Sequence, residues 1–116
     1  MNRSQIQGFV FPLAKAEYLL TRKAKPGQGG DKQNFWQRIL GFTAASDIRE
    51  SILAAISVDI LEAKGSNAYG SRFEASISIT GPNGTTRRIQ TAWLVLEGEQ
   101  DARFVTAFPD HKRRQR

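Results

Sequence analysis

Hydrophobic and polar positions alternate through the second half of the chain. Phe73, Ala75, Ile77 and Ile79 lie two residues apart with Arg72, Glu74, Ser76 and Ser78 between them, the period of a strand with one buried face. Gly81-Pro82-Asn83-Gly84 follows; Pro82 presets φ and Gly84 tolerates positive φ, so these residues predict a tight hairpin. The next run, Thr86 to Leu96, has Ile89, Thr91, Trp93 and Val95 on one face and Ala92, Leu94 and Leu96 on the other. Apolar residues on both faces predict a central strand. Gly98 and Asp101 mark a second reversal before Arg103 to Phe108, and Pro109 ends that strand by lacking a ladder donor. The pattern predicts a three-strand antiparallel meander, with a functional site expected on its open face.

Upstream, the periods are helical. Residues Met1 to Gly8 show none and are expected to be a loose lead-in, with Phe9, Val10 and Phe11 as the first apolar anchor. Pro12 suits a first helical turn, and Leu13, Ala16, Leu19 and Leu20 predict a short helix over Leu13 to Leu20. Thr21 to Gly30 is rich in lysine and glycine and predicts a basic loop. Beyond it Asp31 is a candidate cap for a second helix carrying Phe35, Trp36, Ile39 and Leu40, which Gly41 stops. Ser46 or Asp47 is expected to cap a third helix with Ile48, Ile52, Leu53 and Ile56 inside, ending near Ser57. Val58 to Ala63 fits either a strand or a continued helix, and Lys64 to Ala68 reads as a turn. Helices come first and strands afterwards. That order predicts an α+β fold with N-terminal helices packed on one face of an antiparallel sheet of about four strands. It forms one domain, residues 1–116, with the folded body at 9–109 and a basic tail at 110–116.

Composition narrows the chemistry. Cysteine is absent, so disulfides and thiolate zinc sites lack their residue, and the one histidine, His111, stands beyond the last strand in the basic tail rather than where a triad base is positioned. The acids are spread singly along the chain, and neither a metal site nor a cofactor is expected. No apolar stretch is long enough for a membrane span, and a cytoplasmic location is expected. The formal charge of +6 and pI of about 10.2 favour a polyanionic partner. Lys112, Arg113, Arg114 and Arg116 supply part of that excess from the tail, and His111 stands beside them. Glycines ahead of Lys32 at a helix start suggest a phosphate cradle, although the spacing is not that of a Walker loop. Lys23, Lys25 and Lys32, with Arg72, Arg87, Arg88 and Arg103, are interspersed with Tyr69, Thr86, Thr91, Trp93 and Thr106. Such a set can hold a phosphodiester, stabilise charge during its cleavage and position a 2′-hydroxyl.

Several landmarks together form a pattern: Tyr18-Leu19-Leu20, Lys32 with Phe35-Trp36, Leu40-Gly41-Phe42, Tyr69-Gly70, Thr80-Gly81-Pro82-Asn83-Gly84, Thr91-Ala92-Trp93 and Arg103-Phe104-Val105-Thr106-Ala107-Phe108-Pro109. This pattern, from Phe11 to Pro109, resembles the bacterial domain-of-unknown-function family 6883. The resemblance implies the barnase, EndoU, colicin and RelE-type ribonuclease superfold found in polymorphic toxins. It points to Lys32, Trp93, Thr106 and the aromatic at Phe108. Members of that family often carry His-Pro where this chain has Lys25-Pro26, and Tyr where it has Phe108.

Two functions from different classes follow. One is a metal-independent, toxin-type endoribonuclease acting on RNA phosphodiesters, with Lys32, Thr106 and Arg88 as catalytic residues. Lys23, Lys25, Arg87, Arg103, Lys112, Arg113 and Arg114 would bind nucleic acid. Lys32 and Thr106 are expected to converge on one anion, with Thr106 on the sheet face of Phe104 and Phe108. The alternative is a non-catalytic module of the same fold that binds nucleic acid or protein, such as a phage or mobile-element inhibitor. The partners expected are RNA and, for a toxin, an immunity protein or target.

Overall fold

The computed structural model describes residues 1–21 and 32–110. Strand β1 (Gly8–Val10) and helix α1 (Leu13–Thr21) come first, followed by a π-helical turn (Asn34–Ile39) and helix α2 (Ala45–Ala55). Strands β2 (Glu62–Ser66), β3 (Gly70–Thr80), β4 (Thr86–Leu96) and β5 (Asp101–Pro109) complete the chain, with 3-10 turns at Arg3–Gln5 and Val58–Ile60. The sheet has five strands in the order β1-β5-β4-β3-β2. The α+β class holds, but the sheet is mixed rather than purely antiparallel: β1 lies parallel to β5, Phe9 opposite Ala102. A three-residue strand carries no period of its own, and its pairing spans nearly the whole chain. For the same reason the lead-in is not loose throughout, and Ile6 is buried.

Other boundaries shift for local reasons. The second helix opens into a π-turn, with the Leu40 amide donating to the Phe35 carbonyl at 3.1 Å. That wider turn buries the adjacent Phe35 and Trp36 together. Neither Ser46 nor Asp47 caps α2; its N-cap position is Ala44, without a side-chain cap bond. Lys64 to Ser66 belong to β2, an exposed polar edge strand broken by a bulge between Ala63 and Ser66, the form that resists edge-to-edge pairing. Among the described residues no helix is long and apolar enough to cross a membrane.

One face of the sheet carries the core. Phe73 pairs with Trp93, Ala75 with Thr91 and Ile77 with Ile89. These side chains are buried together with Leu19 and Ala16 of α1 and Ile48 and Ile52 of α2. Trp93 is 1% exposed, and its Nε1 donates to Thr91 Oγ1 at 2.9 Å. The Thr91 hydroxyl in turn donates to the Ala75 carbonyl at 2.9 Å, so the buried hydroxyl is satisfied as both donor and acceptor. Phe9 and Phe104 meet the Trp93 ring edge-on at 5.1 and 5.3 Å, while Phe11 stacks on Phe104 at 3.9 Å. This cluster fastens β1 to β4 and β5.

The β3–β4 hairpin seals the end of the π-turn. A Cβ on Gly81 would lie 1.9 Å from the Leu40 carbonyl oxygen, so only glycine fits. Asn83 Nδ2 donates to the Ile39 carbonyl at 3.0 Å.

Replacing Trp93 with alanine should cost about 3–5 kcal/mol. Thr91→Val, which keeps volume but leaves the indole N–H buried without an acceptor, should cost about 1–3 kcal/mol. Urea unfolding followed by circular dichroism measures both; a Thr91→Val protein as stable as the parent would contradict this account of the core.

Candidate functional site on the open sheet face

The described helices pack on the face of Phe73, Ile89 and Trp93; on the opposite face of β3, β4 and β5 the central Gln90 and Ala92 are 9% and 8% exposed and the residues around them more so. The composition of this open face depends on one irregularity in β5. Trp93 pairs with Phe104 but Ala92 pairs with Thr106, so Val105 is an extra residue with no partner of its own. A bulge of this kind reverses which face the following side chains occupy. Ala102 and Phe104 are therefore buried before it and Ala107 after it, while Thr106 and Phe108 turn to the open face. The expectation that Thr106 shares the face of Phe104 is corrected by this bulge.

Pairing register places the open-face residues in rows across three strands. Arg72 lies beside Leu94 and Arg103; Glu74 beside Ala92 and Thr106; Ser76 beside Gln90 and Phe108; Ser78 beside Arg88. Asp110 extends the last row, its amide donating to the Arg88 carbonyl at 3.0 Å. Arg88 is exposed, yet its guanidinium is held by two hydroxyls: Nη1 donates to Ser78 Oγ at 3.2 Å and Nη2 to Ser76 Oγ at 3.0 Å. Ser76 Oγ donates onward to Asp110 Oδ2 at 2.6 Å. A cation and a carboxylate thus stand one hydroxyl apart on a solvent-facing surface. Next to them Gln90 Nε2 donates to Glu74 Oε1 at 2.9 Å, and the Phe108 ring is 41% exposed.

The remaining expected residues divide. Arg103 shares this face and pairs with Glu99 through Nε at 3.0 Å; the hydrogen bond to Glu99, and then its negative charge, raise the Arg103 pKa further above its ordinary value. Arg87 falls on the helix-side face at the strand end, opposite Ile79, and donates to the Thr86 carbonyl. Thr91 and Trp93 belong to the core. Lys32 Nζ donates to the Ala107 carbonyl at 2.9 Å. The pair Arg88 and Asp110 is the hydrogen-bonded type, so the Thr91 and Ala107 pair three rows on is the non-bonded type, whose Ala107 carbonyl points away from β4. Lys32 therefore satisfies the outer edge of β5, one residue from Thr106. Lys23, Lys25, Lys112, Arg113 and Arg114, like Asp31 and His111, lie outside the described residues.

Glu74, Ser76 and Ser78 were expected on the open face but not named as site residues, and Gln90 and Asp110 were not singled out from the sequence at all. Their signal was the polar half of the strand alternation, which any solvated face also shows. Among the described residues no group of three or more His, Cys, Asp or Glu side chains could hold a metal ion. A groove of about 400 Å³ lies elsewhere, between α2 and the β3–β4 hairpin. Its charged lining residues are Asp47 and Glu50, which repel a polyanion.

The sequence profile described as a domain of unknown function, DUF6883, matches residues 10–111. The chain belongs to this family. No curated protein and no solved structure matches it. In this DUF6883 domain the matched region includes all of α1, α2 and β2 to β5, so the open face lies within the family's own fold.

Lys32→Met removes the donor to the Ala107 carbonyl and should lower stability by about 1 kcal/mol, read as a shift in the urea midpoint. A midpoint equal to the parent's would show that the edge carbonyl is satisfied without it.

Proposed function

We propose that this DUF6883 domain is a metal-independent endoribonuclease that holds an RNA phosphodiester on the open sheet face at Arg88. The observation that carries the reading is the Arg88–Ser76–Asp110 chain of hydrogen bonds. A surface built only to bind phosphate gains nothing from a carboxylate beside its cation, since that carboxylate repels the ligand. A cleaving site needs both. Asp110 would accept the proton of the 2′-hydroxyl, whose oxygen then attacks phosphorus. Arg88, already oriented by Ser76 and Ser78, would take up charge on the non-bridging oxygens. The 5′-oxygen would leave with a proton from water, giving a 2′,3′-cyclic phosphate and a 5′-hydroxyl. Thr106 would orient the backbone, and Phe108 offers a ring for base stacking. Lys32 would act through the β5 edge rather than on the phosphate itself. The net charge of +6 would steer the polyanion, with Lys23, Lys25, Lys112, Arg113 and Arg114 adding contacts.

Incubation with mixed-sequence RNA in EDTA tests this. The parent protein should give discrete fragments with cyclic-phosphate ends. Arg88→Ala and Asp110→Asn should each slow cleavage about 100-fold or more while keeping the parent's circular dichroism spectrum. RNA that is bound but left intact would favour the binding module; full activity in Arg88→Ala would remove the phosphate from this face.

A further inference from the structure

Past Arg88, toward the β3–β4 hairpin, the open face ends in a pair of hydroxyls. Residues two apart on a strand share a face, so Ser76, Ser78 and Thr80 follow one another along the open side of β3. Register sets Thr80 directly opposite Thr86, one row beyond Ser78 and Arg88. Both threonines are exposed, and their Oγ1 atoms lie 2.7 Å apart in one hydrogen bond. Each hydroxyl carries one proton, so the accepting threonine keeps its own for a ligand. Rotation of the other turns its proton outward too, and the pair can then donate two hydrogen bonds to one phosphate.

Charge along the open face favours an anion at this end. Arg88 lies one row back, and Arg87 Nη1 donates to the Thr86 carbonyl at 3.0 Å, which holds a second guanidinium beside the pair. In the other direction the face is acidic: Glu62 lies opposite Glu74 across β2 and β3, and both Glu99 and Asp101 act on Arg103. Thr80 also borders the groove of Asp47 and Glu50, but those carboxylates come from α2, which packs on the core face. Two residues along a strand span about 7 Å, close to the step from one phosphate to the next in an extended single strand.

We infer that Thr80 and Thr86 form a subsite for the phosphate next to the one held by Arg88. The domain thereby grips two consecutive phosphates, and the second contact reads the backbone rather than the base.

The subsite rests on Arg88 as the phosphate anchor, and the experiment separates the two. Fluorescence anisotropy is measured with two labelled 2′-O-methyl uridine hexamers, which cannot be cleaved by 2′-oxygen attack. One has phosphate at every linkage. The other alternates phosphate with uncharged methylphosphonate, so a charged linkage on Arg88 always leaves a neutral one beside the threonines. Thr80→Val combined with Thr86→Val keeps the β-branched shape and strand preference. This variant should bind the all-phosphate hexamer about tenfold more weakly, as for lost hydrogen bonds to a charged group, and the alternating hexamer about as well as the parent does. Thr80→Ser combined with Thr86→Ser, which keeps both hydroxyls, should bind as the parent. Parent-like binding of the all-phosphate hexamer by the valine variant, or an equal loss for both hexamers, overturns the subsite. So does a serine variant as weak as the valine one. If Arg88→Ala weakens the all-phosphate hexamer while the valine variant does not, only the subsite fails. If Arg88→Ala weakens neither hexamer, or the parent binds neither, the anchor and the subsite fail together.

Discussion

The single extra residue in β5 controls what this domain presents to solvent. Side chains on a strand alternate with a period of two, so without Val105 as an insertion the residues beyond it would exchange faces. Thr106 and Phe108 would then enter the core and Ala107 would leave it. With the bulge, Ala107 continues the core face while Thr106 and Phe108 share the opposite face with Gln90 and Ala92. The bulge depends in turn on what flanks it. Phe104 is held between Phe11 and Trp93, and the carbonyl of Ala107 is held by Lys32. Those contacts fix the register on either side of the inserted residue.

Core and candidate site share β4. On its inner face the Trp93 indole and Thr91 hydroxyl are satisfied by each other and by the Ala75 carbonyl. The pairing register that this chain of bonds favours also sets Ser76 against Gln90 and Ser78 against Arg88 on the outer face. A rigid inner face therefore positions a polar outer face at no extra cost in ordering. The Arg88 guanidinium, held by two hydroxyls, loses less side-chain freedom on meeting an anion than an unrestrained arginine would.

Strands β3, β4 and the body of β5 were legible in the sequence because each alternates over many residues, and the Pro82 hairpin because its turn chemistry is local. The burial of Trp93 followed from the same pattern. β1 was not legible: three residues show no period, and their partner lies at the other end of the chain. The Lys64 to Ser66 part of β2 reads as a turn because its residues are polar and exposed, while Glu62 and Ala63 fell in a stretch that fitted strand or helix. The π-turn keeps the apolar stripe of an ordinary helix, so nothing in the spacing of Phe35, Trp36, Ile39 and Leu40 marks it. For the site, Arg88 and Thr106 were visible as residues with suitable chemistry, and Arg87 looked equivalent to Arg88 until the pleat set them on opposite faces. Asp110 and Glu74 came to light only through pairing, which joins Ser76 to Asp110 across two strands and Gln90 to Glu74 diagonally. Charge named cations on the loop, the tail and the strands alike; among the described residues Arg88 is the one held by two hydroxyls of the open face.

The central claim is that the open face of β3, β4 and β5 is where a phosphodiester binds. Its most direct test is nuclear magnetic resonance of the labelled protein titrated with a short 2′-deoxy oligonucleotide, which lacks the hydroxyl that would attack phosphorus. The account predicts amide and side-chain shifts at Ser76, Arg88, Gln90, Thr106 and Phe108, with α2 unperturbed. Shifts confined to α2 and the groove beside Asp47 and Glu50, with the open face silent, would contradict it.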